Sequence, residues 1–438
     1  MKKLPKRKIL ILGAGIGGLY CAINLSKKGF DVTVIEKRQK DELGYPWYDS
    51  VDDKTFDSVK MTVPQDIIVN KQVLSFAGPA GMGNIKQPER VKKNFDVNRK
   101  GLIEFMTGEA EKVCKVLYGK DFSKLIIEDG FVKGASNGEE ELRADLTIDS
   151  SGLFSPFRKQ TPDDFLMNEE VEDEEFFAAY RGFLRKTDNK ELSARVYLQP
   201  DGLGLIWAKD EPGGNADVLI GALGSLSDDD IKKGKDYVMR FYNNVVDEET
   251  LHVKDYIPVR HPIGVLAGNG YALVGNSAFM TRPMCGSGIE LTLRAANMLC
   301  NCVRSVKDKE FSAANLWQYS VRYVKELGAD MYAQYLMRVM AQKIPYEDLD
   351  WIFSSGLLNE GLIALTTMDV KNLGSFSISS LVSSIKLALT RKDLVKKAGE
   401  IIMASVKAKR YAYYIPEDYN LERIREWKNT IDETVKYK

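Results

Sequence analysis

The sequence is poor in the residues that build metal sites and hydrolytic triads. Its 438 residues include two histidines, His252 and His261, too few for a histidine-based metal cluster or a Ser-His-Asp triad. The five cysteines contain no Cys-x-x-Cys pair, which argues against both a disulfide framework and a zinc site. The 62 basic residues equal the 62 acidic ones, so the basic balance of a general nucleic-acid binder is missing. We expect a reduced, cytoplasmic protein that does not bind nucleic acid.

The N-terminal apolar stretch, residues 9–25, is too short and too glycine-rich to span a bilayer. It follows a basic segment, as the core of a secretory signal would. However, Lys27-Lys28-Gly29 stands where a small-residue cleavage site belongs. The pattern therefore predicts a strand, a turn and a helix.

The first glycine motif, Gly13-Ala14-Gly15-Ile16-Gly17-Gly18, lies between a predicted strand at 8–12 and a predicted helix at 19–28. A second predicted strand, 31–35, ends in Glu36. In such a unit the glycines allow a tight turn, close approach of the backbone to a pyrophosphate, and close helix packing. The helix N-terminus favours phosphate, and Glu36 would accept hydrogen bonds from ribose hydroxyls. The motif predicts a dinucleotide site, for FAD or NAD, at Gly13, Ala14, Gly15, Gly17, Gly18, Glu36 and Lys37.

A second glycine-rich segment comprises residues 270–278 and 283–289. Its pattern predicts a short strand, a turn, a loop and the start of a helix. The amides and dipole of that helix would stabilise the negative charge that develops at N1 and C2=O of a flavin on reduction. The residues assigned to this site are Gly275, Asn276, Gly286, Ser287, Gly288 and Ile289.

Residues 6–305 resemble the FAD-dependent enzymes related to p-hydroxybenzoate hydroxylase and geranylgeranyl reductase. Both glycine motifs, the segment Phe95–Leu102 and the segment Asp149–Arg158 stand in that family's order. The resemblance implies an α/β protein: a Rossmann-like FAD-binding domain with an inserted antiparallel-sheet substrate domain and a helical C-terminal tail. It also implies that Arg99 lies near the FAD pyrophosphate.

Several segments distinguish the chain within that family. Asn276 stands where most members have an aspartate on a ribityl hydroxyl; asparagine keeps an acceptor and loses the charge. Asp149-Ser150-Ser151-Gly152 is closer to the Asp-Ala-Ser-Gly of reductase-like and halogenase-like members than to the aromatic hydroxylases, which have aspartate at the place of Ser151. The halogenases' Trp-x-Trp-x-Ile-Pro segment is missing. Gly44-Tyr45-Pro46-Trp47 replaces the Pro-Cys-Gly of many archaeal geranylgeranyl reductases. The resemblance favours a reductase and leaves the subfamily open.

Alternation of apolar and polar residues between 176 and 223 predicts an antiparallel sheet. In reductases of this family that sheet covers the substrate over the flavin, which implies Tyr197 and Trp207 as substrate-binding residues. Cys285 precedes the second glycine-opened helix and is expected to be a small apolar filler, with a redox thiol near the flavin as the alternative. His261 is expected to be a surface or structural residue, with a proton donor as the alternative. The predicted domains are a discontinuous FAD-binding domain at 1–168 and 255–310, a β-rich substrate domain at 169–254, and a helical region at 311–438.

The tail carries two apolar stripes at helical spacing, at 381–389 and 394–402. Residues 386–410 hold eight basic residues against two acidic ones, which is typical of an interfacial helix on anionic lipid. The alternative is an ordinary helix that covers the core. Peripheral membrane contact through 381–410 is therefore one of two expectations.

The preferred function is reduction of carbon–carbon double bonds in a hydrophobic, polyprenyl-type lipid by hydride transfer from reduced FAD. The electron donor stays open between NAD(P)H and a ferredoxin, because the sequence shows no separate NAD(P) unit. Two alternatives also stay open: an FAD-dependent monooxygenase of an aromatic or quinone-like substrate, and a flavin-fold binding protein without catalysis. The sequence identifies neither a catalytic residue nor a metal ligand.

Overall fold

The computed structural model describes residues 6–81, 83, 85–86, 94–308, 310–355 and 390–436. The strands are β1 Lys8–Leu12, β2 Asp31–Ile35, β3 Tyr48–Val51, β4 Ile68–Asn70, β5 Ser75–Ala77, β6 Ile85–Lys86, β7 Phe95–Asn98, β8 Lys115–Leu117, β9 Lys124–Glu128, β10 Phe131–Ser136, β11 Glu141–Arg143, β12 Leu146–Asp149, β13 Phe176–Lys186, β14 Arg195–Leu198, β15 Leu205–Asp210, β16 Ala216–Leu223, β17 Val245–Pro258, β18 Ala267–Gly268 and β19 Tyr271–Leu273. The α-helices are α1 Ile16–Ser26, α2 Arg99–Glu111, α3 Asp228–Phe241, α4 Ile289–Ser305, α5 Ala313–Tyr323, α6 Ala329–Ala341, α7 Tyr346–Ser354, α8 Lys392–Tyr413 and α9 Leu421–Val435.

A six-stranded sheet in the order β18-β19-β12-β1-β2-β8 forms the first layer. Its pairs are parallel except β18 with β19. The apolar run of β1 is buried, as expected for a strand covered by helices on both faces. Leu12 pairs with Ile35 on one side and with Asp149 on the other, so three strands end at one edge of the sheet. The predicted Rossmann-like core is confirmed.

A seven-stranded sheet in the order β17-β13-β16-β15-β14-β5-β6 forms the second layer. It is antiparallel from β17 to β14, and β5 then joins β14 in parallel. The predicted antiparallel sheet is confirmed, but β5 and β6 come from upstream of residues 169–254. Helix α3 packs on one face of this sheet over a separate apolar core that includes Ile220 and Tyr237.

The C-terminal region is helical where the structure describes it. Helix α8 packs on α6 through small residues, Ser405, Ala408 and Ala412, all buried. Lys428 of α9 ties the region to the rest of the chain, because its Nζ lies 2.7 Å from Oε1 of Glu169. Within the described ranges, no helix is long and apolar enough to cross a membrane.

Candidate cofactor and substrate site

A cavity of about 3110 Å³ lies between the two large sheets and the C-terminal helices. Its wall is formed by the carboxyl-end loops of the six-stranded sheet, one face of the seven-stranded sheet, and parts of α6, α7 and α8. Gly18 lies behind the first glycine turn. The predicted cofactor residues that line the cavity are Gly13, Ala14, Gly15, Gly17, Glu36, Lys37, Arg99, Gly275, Asn276, Gly286, Ser287, Gly288 and Ile289.

The glycines of the first motif are required for two different reasons. Gly13 has φ +99°, and a Cβ there would lie 2.5 Å from the Ser150 carbonyl oxygen. A Cβ on Gly18 would lie 2.3 Å from the Gly13 carbonyl oxygen. Gly15 is not constrained in this way: its φ of −74° suits any residue, and its Cβ would meet Ser150 at an ordinary 3.7 Å. The open space over the Gly15 backbone therefore fits a pyrophosphate that approaches from the cavity.

Glu36 is held against this turn at the end of β2 and is only 6% exposed. Its Oε2 accepts a hydrogen bond from the Ala14 amide at 2.8 Å, and its Oε1 accepts one from the Arg38 amide at 3.1 Å. Oε1 also accepts from Arg38 Nε at 3.3 Å, so of the roughly four acceptor sites of the carboxylate about one remains for a further hydroxyl donor. The carboxylate is thus fixed in orientation and lines the cavity.

Two helix N-termini open into this one cavity without side-chain caps. The N-cap residues are Gly15 for α1 and Gly288 for α4, and neither can supply a capping side chain. In α1 the Gly18 amide donates to Ser150 Oγ at 3.0 Å, which leaves the earlier amides of that helix, the first amides of α4 and the positive end of each dipole for negative groups in the cavity. This arrangement fits a dinucleotide that places its pyrophosphate at α1 and an electron-rich ring at α4.

Asn276 lies in the turn after β19 and is exposed to the cavity. Its Oδ1 accepts a hydrogen bond from Thr281 Oγ1 at 3.1 Å. With the carbonyl side of the amide held in this way, the amide group Nδ2 is the part left to donate to a ligand.

A buried carboxylate fixes the edge of the sheet between the two glycine motifs. Asp149 accepts hydrogen bonds from Ser151 Oγ at 2.7 Å, Ser155 Oγ at 2.5 Å and the Tyr271 hydroxyl at 2.6 Å. Burial and the neighbouring Asp149 raise the pKa of Tyr271, so the phenol keeps the proton that it donates. Ser277 Oγ donates to the Asp149 carbonyl oxygen at 2.7 Å and joins the second motif to this cluster.

Comparison with known proteins agrees with this geometry. Residues 11–63 match the family model described as an NAD(P)-binding Rossmann-like domain. The chain is similar to the digeranylgeranylglycerophospholipid reductase of Sulfolobus acidocaldarius, with 23% identity over 99% of this chain and 98% of that protein. The reductase of the same name from Methanosarcina mazei is 25% identical over 79% of this chain and 87% of its own.

Among solved structures, a geranylgeranyl bacteriochlorophyll reductase-like protein from Thermoplasma acidophilum aligns with a TM-score of 0.70 and 17% identity, over 91% of this chain and 99% of its own. A flavin-dependent brominase aligns with a TM-score of 0.61 and 15% identity, over 89% and 100%. At these identities the solved structures establish the fold.

These similarities support an FAD-dependent oxidoreductase related to the geranylgeranyl reductases.

This oxidoreductase has a charged and aromatic network that sequence reasoning missed. Arg181 of β13 donates to Asp217 through Nε at 2.8 Å and through Nη2 at 2.6 Å, and to Asp49 through Nη1 at 2.7 Å. Its guanidinium lies 4.7 Å from the ring centroids of both Trp47 and Trp207. Burial would lower the pKa of Arg181, but the two carboxylates raise it, so the guanidinium stays charged. The network fixes the loop after β2 against the sheet face that lines the cavity.

Arg99 and Tyr45 extend this network toward the first glycine motif. Arg99 Nη1 donates to Asp49 Oδ2 at 3.0 Å, and its guanidinium lies 5.5 Å from the Tyr45 ring. Its Nε is buried and has no hydrogen-bond partner in the part of the chain that the structure describes, while other atoms of Arg99 line the cavity. The Tyr45 hydroxyl donates to Asp255 of β17. Burial and Asp255 raise the pKa of Tyr45, so this phenol is protonated at neutral pH.

The two predicted substrate-binding residues lie on opposite faces of the seven-stranded sheet. In the β14–β15 pair, Val196 faces Trp207 and Tyr197 faces Ile206. Because successive side chains of a strand point to opposite faces, Trp207 lines the cavity with Val196. Tyr197 is 1% exposed and packs edge-on against Tyr237 of α3. The expectation for Tyr197 is therefore wrong, and that for Trp207 stays a prediction.

His261 and Cys285 differ in their placement. His261 is buried and stacks on Tyr332 at 5.0 Å, and burial lowers the pKa of this imidazole to about 3. This placement agrees with a structural role. Cys285 is exposed and lines the cavity, so the expectation of a small apolar filler is wrong for it.

The tail stripe predicted at 381–389 lies outside the described residues. The second stripe forms part of the cavity wall through Leu394, Val395, Ala398, Ile401 and Ile402.

Proposed function

We propose that this oxidoreductase binds FAD across its two glycine motifs and reduces carbon–carbon double bonds of a polyprenyl lipid. The observation that carries the proposal is a single cavity in which two uncapped helix N-termini face an apolar chamber. The name shared by the relatives from Sulfolobus acidocaldarius and Methanosarcina mazei supports the substrate class.

Different residues are assigned to different parts of the cofactor. Glu36 accepts hydrogen bonds from the adenosine ribose, since its carboxylate is fixed at the end of β2. The N-terminus of α1, with Gly15 and Arg99, holds the pyrophosphate. Asn276 contacts the ribityl chain, and the N-terminus of α4 at Gly288 faces the flavin pyrimidine ring.

The chamber beyond these motifs suits a long apolar substrate. Its volume of about 3110 Å³ is several times the roughly 300–1,000 Å³ of a pocket for a drug-sized ligand, and FAD uses only part of it. The apolar residues on its sheet face include Phe177, Val196, Leu198, Leu205, Leu219 and Ile257. These residues exclude water from the reacting carbons and bind an isoprenoid chain without polar contacts.

Reduction of a double bond adds a hydride and a proton. When bound and reduced, FAD supplies the hydride. Tyr45 holds a hydroxyl proton at the cavity wall, and Asp255 and the ring of Trp47, stacked at 4.6 Å, fix its orientation. We assign Tyr45 Oη as the group that donates the proton to carbon: the transfer would break its hydrogen bond to Asp255 and leave a phenolate near the Arg99 guanidinium, which solvent would reprotonate after the product leaves.

The test is anaerobic turnover with a geranylgeranyl ether lipid. Reduced enzyme is mixed with this lipid or with its fully saturated analogue, and flavin absorbance and product mass are followed. We expect that only the unsaturated lipid reoxidises the reduced flavin. The product should gain two hydrogen atoms for each double bond that is reduced. Reoxidation that requires oxygen, with hydroxylated product, would favour a monooxygenase instead. Separate reductions with NADH, NADPH and reduced ferredoxin identify the donor.

A further inference from the structure

The outward face of α8 carries a row of large apolar side chains. Val395, Ile402, Val406 and Tyr413 are 44%, 47%, 53% and 49% exposed. Their spacing of seven, four and seven residues places them within about 40° of one another around the helix. Met403 lies beside them and is 70% exposed. We call these five residues the outer α8 row. A continuous apolar row of this kind on a surface indicates an interaction site.

The outer α8 row shares only Val395 and Ile402 with the stripe at 394–402 that the sequence pattern predicts. In that stripe Leu394 is buried and Ile401 is half-buried, and both line the cavity. The rotation of α8 is fixed by its packing on α6. Ala408, about 140° around the helix from the centre of the row, is fully buried, and Lys409, at the edge of the row, places its Nζ 2.5 Å from Asp330 Oδ1 of α6. The packing on α6 therefore leaves the outer row free of the core.

Basic residues follow the row along its solvent side. Lys396, Lys407 and Arg410 lie about 60–120° around the helix from the centre of the row. Within the described residues, none of the three forms an ion pair with a carboxylate. Two of them lie near tyrosine rings: Lys407 at 5.7 Å from Tyr411 and Arg410 at 5.9 Å from Tyr414. These cations are available to a surface of negative charge.

The apolar surface is continuous from the outside of α8 to the cavity. Val395 and Ile402 belong to the outer α8 row and also line the cavity, next to Leu394 and Ile401. A lipid tail that leaves a bilayer at this face would stay on apolar side chains until it enters the chamber.

We infer that the outer α8 row docks this oxidoreductase on an anionic lipid bilayer, from which its substrate enters the cavity. A helix with an apolar face and flanking basic residues binds such a surface by placing the apolar side chains at the acyl boundary and the cations at the headgroups. That the substrate is a lipid rests on the proposed function. The docking itself does not, because it is measured without turnover.

The test is flotation of the full-length protein with vesicles of phosphatidylcholine alone or with about one third phosphatidylglycerol. Wild type is expected to bind the anionic vesicles at least about tenfold more tightly, and salt is expected to weaken this binding. The Ile402→Asp/Val406→Asp variant is expected to lose at least about tenfold in affinity. The Lys407→Gln/Arg410→Gln variant is expected to lose about 25-fold on anionic vesicles, since each cation near the surface contributes about fivefold. The control Ile127→Asp changes an equally apolar residue of β9, 38% exposed, and is expected to bind as wild type.

Two results would overturn the inference: wild type that stays unbound on both vesicles, or row variants that bind as wild type. Circular dichroism and retained flavin establish that the variants are folded. If a second copy covers the row, wild type elutes as a dimer that Ile402→Asp/Val406→Asp dissociates. If residues 356–389 cover the row, wild type binds neither kind of vesicle, and Ile402→Asp/Val406→Asp lowers the unfolding temperature. Vesicle binding without reduction of any prenyl lipid would uphold the docking and reject the proposed function.

Discussion

The substitution Gly15→Ala separates the needs of the cofactor from the needs of the fold. At this position the backbone has φ −74° and ψ 173°, which alanine adopts without strain. The added Cβ would lie 3.7 Å from Ser150 Oγ, an ordinary contact, so the apoprotein is expected to lose less than about 1 kcal/mol of unfolding free energy. The same methyl group occupies the space through which the pyrophosphate approaches the backbone.

The expected result is a large loss of FAD affinity in a protein that remains stable. Loss of close phosphate contact at a helix N-terminus is worth about 3 kcal/mol, or roughly 100-fold in Kd. The assay combines fluorescence titration of the apoprotein with FAD and thermal unfolding without it. The matched control is Gly18→Ala, whose Cβ would lie 2.3 Å from a carbonyl oxygen and must lower stability as well. A Gly15→Ala protein with wild-type FAD affinity would refute the placement of the pyrophosphate.

Three further predictions concern single side chains. Asn276→Asp is expected to tighten FAD binding about fivefold in the same titration, because a charged acceptor binds a ribityl hydroxyl more strongly than an amide; weaker binding would show that the Nδ2 donor matters more. Although burial raises it, the ion pairs with Lys428 and Arg260 lower the pKa of Glu169 to about 2. Its folded-state pKa is depressed, so its contribution of about 3 kcal/mol is present above about pH 4.5 and is lost as the pH falls toward 2. Acid unfolding of Glu169→Gln is expected to be less steep over that range, and an unchanged slope would contradict this. Tyr45→Phe is expected to slow reoxidation of the reduced flavin by substrate about 100-fold with FAD affinity unchanged, and a wild-type rate would remove Tyr45 as the proton donor.

The sequence predicts well those features that a short segment decides by itself. The first glycine motif, its flanking strands and Glu36 lie within 30 residues, and each element depends on local backbone geometry. The strand Lys8–Leu12 and the start of the helix at Ile289 agree with the structure to the residue. The buried strand before the second motif, Tyr271–Leu273, is also confirmed, because a short apolar run before a glycine turn leaves few alternatives.

Features that depend on pairing between distant segments cannot be predicted from the sequence. Arg181 and Asp217 meet because β13 pairs with β16 and puts Leu219 opposite Arg181, with Asp217 two residues further on the same face. No residue pattern in either strand predicts this register. The substrate-binding role implied for Tyr197 is wrong for a related reason. Alternation shows that Tyr197 and Trp207 lie on faces of a strand, but only the register with the neighbouring strand shows which face each takes.

The C-terminal tail shows a third limit of prediction from the sequence. Helical periodicity identified an apolar stripe at 394–402, yet periodicity alone cannot say whether a stripe faces the core, a cavity or a membrane. Packing of small residues at Ser405 and Ala408 against α6 decides the rotation of α8. That rotation turns Leu394 and Ile401 of the predicted stripe toward the cavity and leaves Val395 and Ile402 exposed as part of the outer α8 row.

The proposed reaction requires FAD held between the two glycine motifs, and an absorption spectrum of the purified protein tests this most directly. We predict two visible flavin bands in the folded protein and free FAD in the supernatant after heat denaturation. The Gly15→Ala variant, purified in parallel, is predicted to be colourless at equal protein concentration. A wild-type protein that is colourless and takes up no added FAD would leave the fold standing and contradict the redox function.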